Sequence, residues 1–136
     1  MQLIARCFIT FIALVLTLLG SNVADWNHTH ILSSMWSPHA RFHGAWFVLA
    51  TSLLSLLSLW LVWSRNNRTR IAAYVQGSIW LAFFPAMLVP HTLLADPGGE
   101  VELAGIDLNL LGAILVVILL VTALALLWKE RSPSRG

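Results

Sequence analysis

The sequence predicts an all-α integral membrane protein, a bundle of four transmembrane helices with both termini on the cytoplasmic side. Of its 136 residues, 58% are hydrophobic and only 10% are charged, against roughly 45–50% and about 25% in an ordinary soluble domain, and the mean hydropathy is +0.79. The apolar residues also gather into four runs, Leu3–Gly20, Gly44–Trp63, Ile71–Pro90 and Leu108–Trp128. Each run has about 20 residues, enough to cross the hydrocarbon layer as a helix. The chain reads as one membrane domain, 1–136, with no room for a separate soluble module. Any chemistry must therefore sit on the spans or on their short connections.

The first run also has the layout of a signal peptide, with Arg6 ahead of an apolar stretch from Cys7 to Leu19. Ser21-Asn22-Val23-Ala24 offers no small-x-small cleavage site, because Asn22 occupies the first small position, so an uncleaved span is expected. The second helix is expected to start near residue 38, ahead of its apolar run, since Ser37 suits an N-cap and Pro38 a first helical position. Along one side of it lie Ser52, Ser55 and Ser58, the small polar residues that line helix contacts in membranes. In the third run Ala73, Gly77 and Ser78 permit close approach, and Gln76, the deepest amide, is expected to bond a neighbouring helix. Pro85 and Pro90 should kink or end that helix. The fourth run is almost wholly Leu, Ile, Val and Ala and reads as lipid-facing, while Trp60 and Trp80 read as packing residues.

The connections orient the spans. Ser64–Arg70 carries Arg65, Arg68 and Arg70, and the C-terminal tail carries Lys129, Arg131 and Arg135, which assigns both to the cytoplasmic side. The Ser21–His43 connection holds only Arg41, and the 91–107 connection holds Asp96, Glu100, Glu102 and Asp107 without a Lys or Arg, so both face outward. Trp63 and Trp128 then mark the inner interface, and Trp26, Trp36 and Trp46 the outer one. The expected setting is a bacterial inner membrane or its equivalent, with the lipid bilayer and a membrane-protein partner or a second copy of the chain as neighbours. A net charge of +2 is too small and dispersed for nucleic acid binding. Cys7, without a second cysteine, excludes an internal disulfide or C-x-x-C redox chemistry. No ionisable residue falls in the middle third of a span, which argues against a proton-coupled antiporter or an intramembrane acid-catalysed isomerase.

The concentrated chemical signal is the first outer connection, Asp25-Trp26-Asn27-His28-Thr29-His30 followed by Ser37-Pro38-His39-Ala40-Arg41-Phe42-His43. His39 and His43 stand one helical turn apart, which puts both imidazoles on one face, as a metal ion requires of two ligands from one helix. His28 and His30 project from one side if the segment is extended, and Asp25 or His91 is a further candidate ligand or orienting group. Imidazole and carboxylate donors without thiolate suit Zn, Fe, Ni or oxidised Cu. A second arrangement is haem held between His43 and His91, at the outer ends of the second and third spans. The bland alternative is that these histidines anchor helices and donate to loop carbonyls. Asn27-His28-Thr29 also matches the N-glycosylation sequon, Arg41 suits lipid phosphate, and the turn Asp96-Pro97-Gly98-Gly99-Glu100-Val101-Glu102 reads as a solvated turn or as a source of an oxygen ligand or general base above the site.

Asn27-His28-Thr29-His30 with Pro38-His39-Ala40-Arg41-Phe42-His43-Gly44, opening the second of four spans, resembles the signature of an uncharacterised family of small four-span membrane proteins. The resemblance implies the four-helix fold and makes the first outer connection the functional surface; it implies no activity. Three functions are therefore expected in competition. The first is a transition-metal or haem site at the outer end of the bundle, suited to a membrane metalloenzyme acting on an amphipathic substrate. The second is a non-enzymatic accessory or scaffold subunit, and the third is a small lipid-handling or transport component, which requires a polar cavity joining the outer site to Gln76 and Tyr74.

Overall fold

The computed structural model describes residues 1–94 and 102–130. Asp96 to Val101 of the acidic connection, and the tail Ser132–Gly136, expected to lack structure, lie outside the described residues. Helix α1 spans Gln2–Asp25, α2 spans Pro38–Trp63, α3 spans Thr69–Leu81, and a single further turn, α4, covers Phe83–Ala86. A two-stranded hairpin, β1 Glu102–Leu103 and β2 Ile106–Asp107, leads into α5, Leu108–Lys129. The protein is thus an all-α membrane bundle of four principal helices. Three of them, α1, α2 and α5, are individually long and apolar enough to cross a membrane.

The third helix is where the expected boundaries change. Over Ile71–Pro90 a helix kinked or ended by Pro85 and Pro90 was expected; α3 stops at Leu81 after 13 residues, four residues ahead of Pro85, and only the four residues of α4 follow as helix. Pro85 cannot donate a backbone hydrogen bond, and Pro90 bars helix at the residue before it. The backbone then turns, with His91 in the left-handed region at φ 66°. The start of α2 follows expectation: Ser37 caps it by accepting from the Ala40 N–H at 3.1 Å, with Pro38 in the first turn.

The hairpin was not anticipated. Its two central residues, Ala104 and Gly105, both have positive φ, 55° and 76°, as a two-residue turn matched to strand twist requires. It delivers Asp107 to the N-cap of α5, where the carboxylate accepts from Asn109 N at 2.8 Å and Leu110 N at 3.2 Å. One carboxylate of the acidic connection is therefore a helix cap. Asp107→Ala is expected to lower stability by about 1 kcal/mol, readable as a fall in the thermal unfolding midpoint of the detergent-solubilised protein.

Large apolar residues cover the outside of the bundle, and a set of polar residues lies inside it. Leu49, Leu53, Leu57 and Trp60 of α2 are exposed, as are Ile114, Leu115, Ile118 and Val121 of α5, whereas Thr17, Thr51, Ser55, Ser58, Thr69 and Gln76 are buried. Lipid is as apolar as leucine, so helices in a membrane gain little by hiding leucines and associate through small and hydrogen-bonding residues. Trp60, read as a packing residue, instead stands 62% exposed on the outer surface of α2. Ser78 also faces out, its hydroxyl returned to the Tyr74 carbonyl at 2.9 Å. Conversely α5, read as lipid-facing, buries a stripe of Ala113, Val116, Leu120, Ala123 and Leu127. That stripe steps by three and four residues and packs on α1 and α3, whose contributions are Ala5, Ile9, Ala72 and Ala73.

Gln76 sits at the centre with no exposed surface. Its Oε1 accepts from the Thr17 hydroxyl at 2.8 Å, and its Nε2 donates to Ser58 at 3.0 Å and Ser55 at 3.4 Å. Trp80 completes the chain by donating its indole N–H to the Thr17 oxygen at 2.8 Å. Three helices are thereby joined by one amide. The partner on α1 is placed by an unusual winding, since Ile12–Leu19 is π-helical between two α-helical stretches. In that i→i+5 pattern, Thr17 and Asn22, five residues apart, both reach neighbours across the bundle: Asn22 donates to Ser52 at 2.8 Å.

Candidate functional site

The end of the bundle formed by the C-terminus of α1, residues 26–37 and the start of α2 carries His28, His30, His39 and His43. Asn27 organises the connection. Its Oδ1 accepts from the backbone N–H of Thr29 at 2.9 Å, the Thr29 hydroxyl at 2.8 Å and the backbone N–H of His30 at 3.2 Å, while its Nδ2 donates to the Ala24 carbonyl at 2.6 Å. This is the turn that a short amide makes with its own following backbone. From sequence Asn27 stood in the sequon and in the family signature, with no role as the organiser of the turn; its place just after a helix end and ahead of Thr was the available signal.

The network also sets the His30 tautomer. Because Thr29 gives its hydroxyl proton to Asn27, its oxygen can only accept, so the His30 Nδ1 at 2.8 Å carries the proton and donates. The Nε2 of His30 is then the basic nitrogen. Its ring meets Trp36 edge-on, centroids 6.2 Å apart, and Asp25 lies within electrostatic reach. Trp36 and Ile31 in turn seat the connection on α2 over Gly44, where a Cβ would stand 2.9 Å from the Trp36 ring and 3.3 Å from Ile31. Glycine is needed here for the close approach of the cap, not for its backbone freedom.

His39 and His43 converge. Their Nε2 atoms are 3.1 Å apart, the rings perpendicular with centroids at 4.5 Å, and both side chains are exposed. His43 is flanked by Phe42 at 5.6 Å and Trp46 at 6.0 Å. Arg41, between the two, turns away from them; it is partly buried, and its Nε has no hydrogen-bond partner among the described residues.

The remaining candidates are not drawn into one cluster. His28 is exposed on the Asn27 turn, and His91 is exposed beyond α4. Among the described residues no three His, Cys, Asp or Glu side chains come together in ligand geometry. What the structure brings together is the His39–His43 pair, and separately His30 with Asp25. The amide groups of Gln76 are all engaged within the bundle, and Tyr74 lies 63% exposed on the outside of α3.

A helical bundle with an apolar exterior, a hydrogen-bonded polar centre and a histidine-bearing cap defines the class: an integral membrane protein of the all-α type. Residues 8–105 match the family of unknown function DUF6640, most of the chain, and the protein belongs to that family. The match runs from α1 through the cap, α2 and α3 to the hairpin. No curated protein and no solved structure is significantly similar to the chain.

Proposed function

We propose that this protein is a multi-pass membrane protein that holds a transition-metal ion on His39 and His43, at the extracytoplasmic end of the bundle. The observation that carries this reading is the 3.1 Å between the two Nε2 atoms. Metal–imidazole bonds of about 2.0–2.1 Å put two adjacent ligands of one ion about 2.9–3.4 Å apart, from right-angled to tetrahedral geometry. Without metal the pair shares one hydrogen bond; an ion between the rings replaces that proton. The basic Nε2 of His30, and Asp25, His28 or His91, are the protein groups from which further ligands are drawn, with water filling the rest.

Orientation follows from charge. The pair opens α2, and the Arg65–Arg70 connection follows its other end, a helix of 26 residues away, about 39 Å. The positive-inside bias assigns the arginine end to the cytoplasm, in a bacterial inner membrane or its equivalent. A site with open coordination positions at headgroup depth suits metal-assisted hydrolysis or oxidation of an amphipathic substrate. The rival reading is an accessory subunit whose histidines only hold loops, and it draws on His30, whose ring is committed to Thr29 and Trp36.

Metal content of protein purified in detergent without chelator, measured by plasma mass spectrometry on the wild type, His39→Ala and His43→Ala, separates them. Near-stoichiometric Zn, Cu or Fe is expected in the wild type. Either substitution should weaken binding by more than the about 10–100-fold that loss of an outer-shell partner costs. Both side chains are exposed, so the fold is retained. Metal-free wild type that binds no added Zn, or variants that bind as well as wild type, would overturn the proposal in favour of the accessory subunit. A haem Soret band lost with His43 and His91 would overturn it in favour of bis-histidine haem.

A further inference from the structure

The arginine-bearing end of the bundle carries a second candidate site, unrelated to the histidines. Where α3 and α5 diverge, a groove of about 470 Å³ is lined by Arg70, Tyr74, Leu124 and Trp128. Arg70 and Tyr74 are four residues apart on α3, and Leu124 and Trp128 four apart on α5, so two single-turn ledges face each other. Arg70 also lines an adjoining cavity of about 390 Å³, shared with Asn67, Arg68, Thr69 and Glu130. One guanidinium thus connects two spaces, one between helices and one beneath the Arg65–Arg70 connection.

The Arg70 guanidinium is positioned rather than free. It is partly buried, and one terminal nitrogen donates to the Leu127 carbonyl near the end of α5. A guanidinium has five N–H donors, and among the described residues no carboxylate pairs with Arg70. The nearby carboxylate, Glu130, is engaged by the Met1 amino group at 3.5 Å and by the Gln2 N–H at 2.7 Å. Arg68 is exposed beside it and lines the adjoining cavity. Around this cation the groove walls are graded. Trp128 and Tyr74 are the amphipathic rings found at headgroup depth, and Leu124, one turn before Trp128 on α5, is partly buried and adds an aliphatic wall.

We propose that this groove binds the headgroup phosphate of an anionic phospholipid from the leaflet that the arginine-bearing end faces. The phosphate diester accepts from the remaining Arg70 donors, with Arg68 adding charge from the adjoining cavity. Tyr74 and Trp128 flank the glycerol region, and an acyl chain follows Leu124 along the cleft between α3 and α5. An arginine suits this role better than a lysine because its planar fork meets two phosphate oxygens at once. The occupant is a lipid rather than free phosphate because the cation shares its groove with Leu124 and the rings of Tyr74 and Trp128, which offer an acylated ligand apolar contact that an inorganic anion does not use.

The test is native mass spectrometry of the full chain released from nanodiscs containing both phosphatidylglycerol and phosphatidylcholine, together with titrations of each lipid in detergent. The expected result is one retained phosphatidylglycerol at least tenfold tighter than phosphatidylcholine. Arg70→Gln should abolish that preference. Because Arg70 also ties α3 to α5, Arg68→Gln is the second variant; it leaves that contact intact and should weaken phosphatidylglycerol about fivefold, the effect of one basic residue near a charged headgroup. Arg65 lines neither cavity, so Arg65→Gln should change little. Equal retention of the two lipids, or equal losses from Arg65→Gln and Arg68→Gln, would overturn the site in favour of diffuse charge. Displacement of the lipid by millimolar inorganic phosphate would overturn it in favour of a free-anion site.

Discussion

Gln76→Ala is expected to destabilise the bundle by about 2–4 kcal/mol, combining a lost side chain at a closed position with three lost hydrogen bonds. The residue has no exposed surface, and its amide joins Thr17 of α1 to Ser55 and Ser58 of α2. Hydrogen bonds between membrane helices average only about 0.6 kcal/mol and reach about 1.7, so the bonds alone do not account for the total. Gln76→Leu separates the two contributions, because it keeps most of the volume and removes only the polar groups. It should cost about 1–2 kcal/mol. Ser58 already donates to the Leu54 carbonyl at 2.9 Å and loses little, whereas Thr17 loses its acceptor while still receiving the Trp80 N–H. Reversible unfolding in mixed detergent micelles would measure both. A leucine variant as stable as wild type would show that the amide is not what holds the three helices together.

Gly44→Ala is expected to destabilise by about 1–3 kcal/mol, the usual effect of forcing a methyl into a packed contact. In most helix interiors this change is favourable by up to about 1 kcal/mol. Here the sign reverses, because the new Cβ would stand 2.9 Å from the rigid Trp36 ring and 3.3 Å from Ile31, the two residues that seat the connection on α2. Gly112 of α5 provides the control, since a Cβ there meets nothing within 4 Å, and Gly112→Ala should be neutral or stabilising. In a Trp36→Ala background the penalty at Gly44 should shrink, as contacting pairs do in a double-mutant cycle. Displacing Trp36 also removes the ring against which His30 rests, so Gly44→Ala should loosen the cap that carries the histidines. Indistinguishable stabilities for the Gly44 and Gly112 variants would remove the cap-on-helix contact from this account.

The histidine pair was legible from spacing alone, because residues four apart on a capped helix must share a face, and Ser37 and Pro38 locate the cap. What surrounds the pair was not legible. Where His28, His30 and Asp25 stand depends on how residues 26–36 fold back, and that is decided by Asn27 accepting three hydrogen bonds and by Trp36 lying over Gly44. Gln76 was correctly expected to bond another helix, since an amide in hydrocarbon has few alternatives. Its three partners were not identifiable, because Thr17 owes its position to π-helical winding that no residue in Ile12–Leu19 announces.

By itself the sequence determined the class, the approximate helices and the charge asymmetry between the two ends. These follow from quantities local to the chain: apolar run length, proline and capping chemistry, and the placement of Arg and Lys. Only the tertiary structure decided which face of each helix points inward. In water that choice is written as hydrophobic contrast, but α5 is apolar all round, and lipid and protein interior are equally hospitable to its leucines. The buried stripe from Ala113 to Leu127, the outward Trp60 and the groove beside Arg70 are therefore set by close packing and by the few polar groups that must find one another across helices.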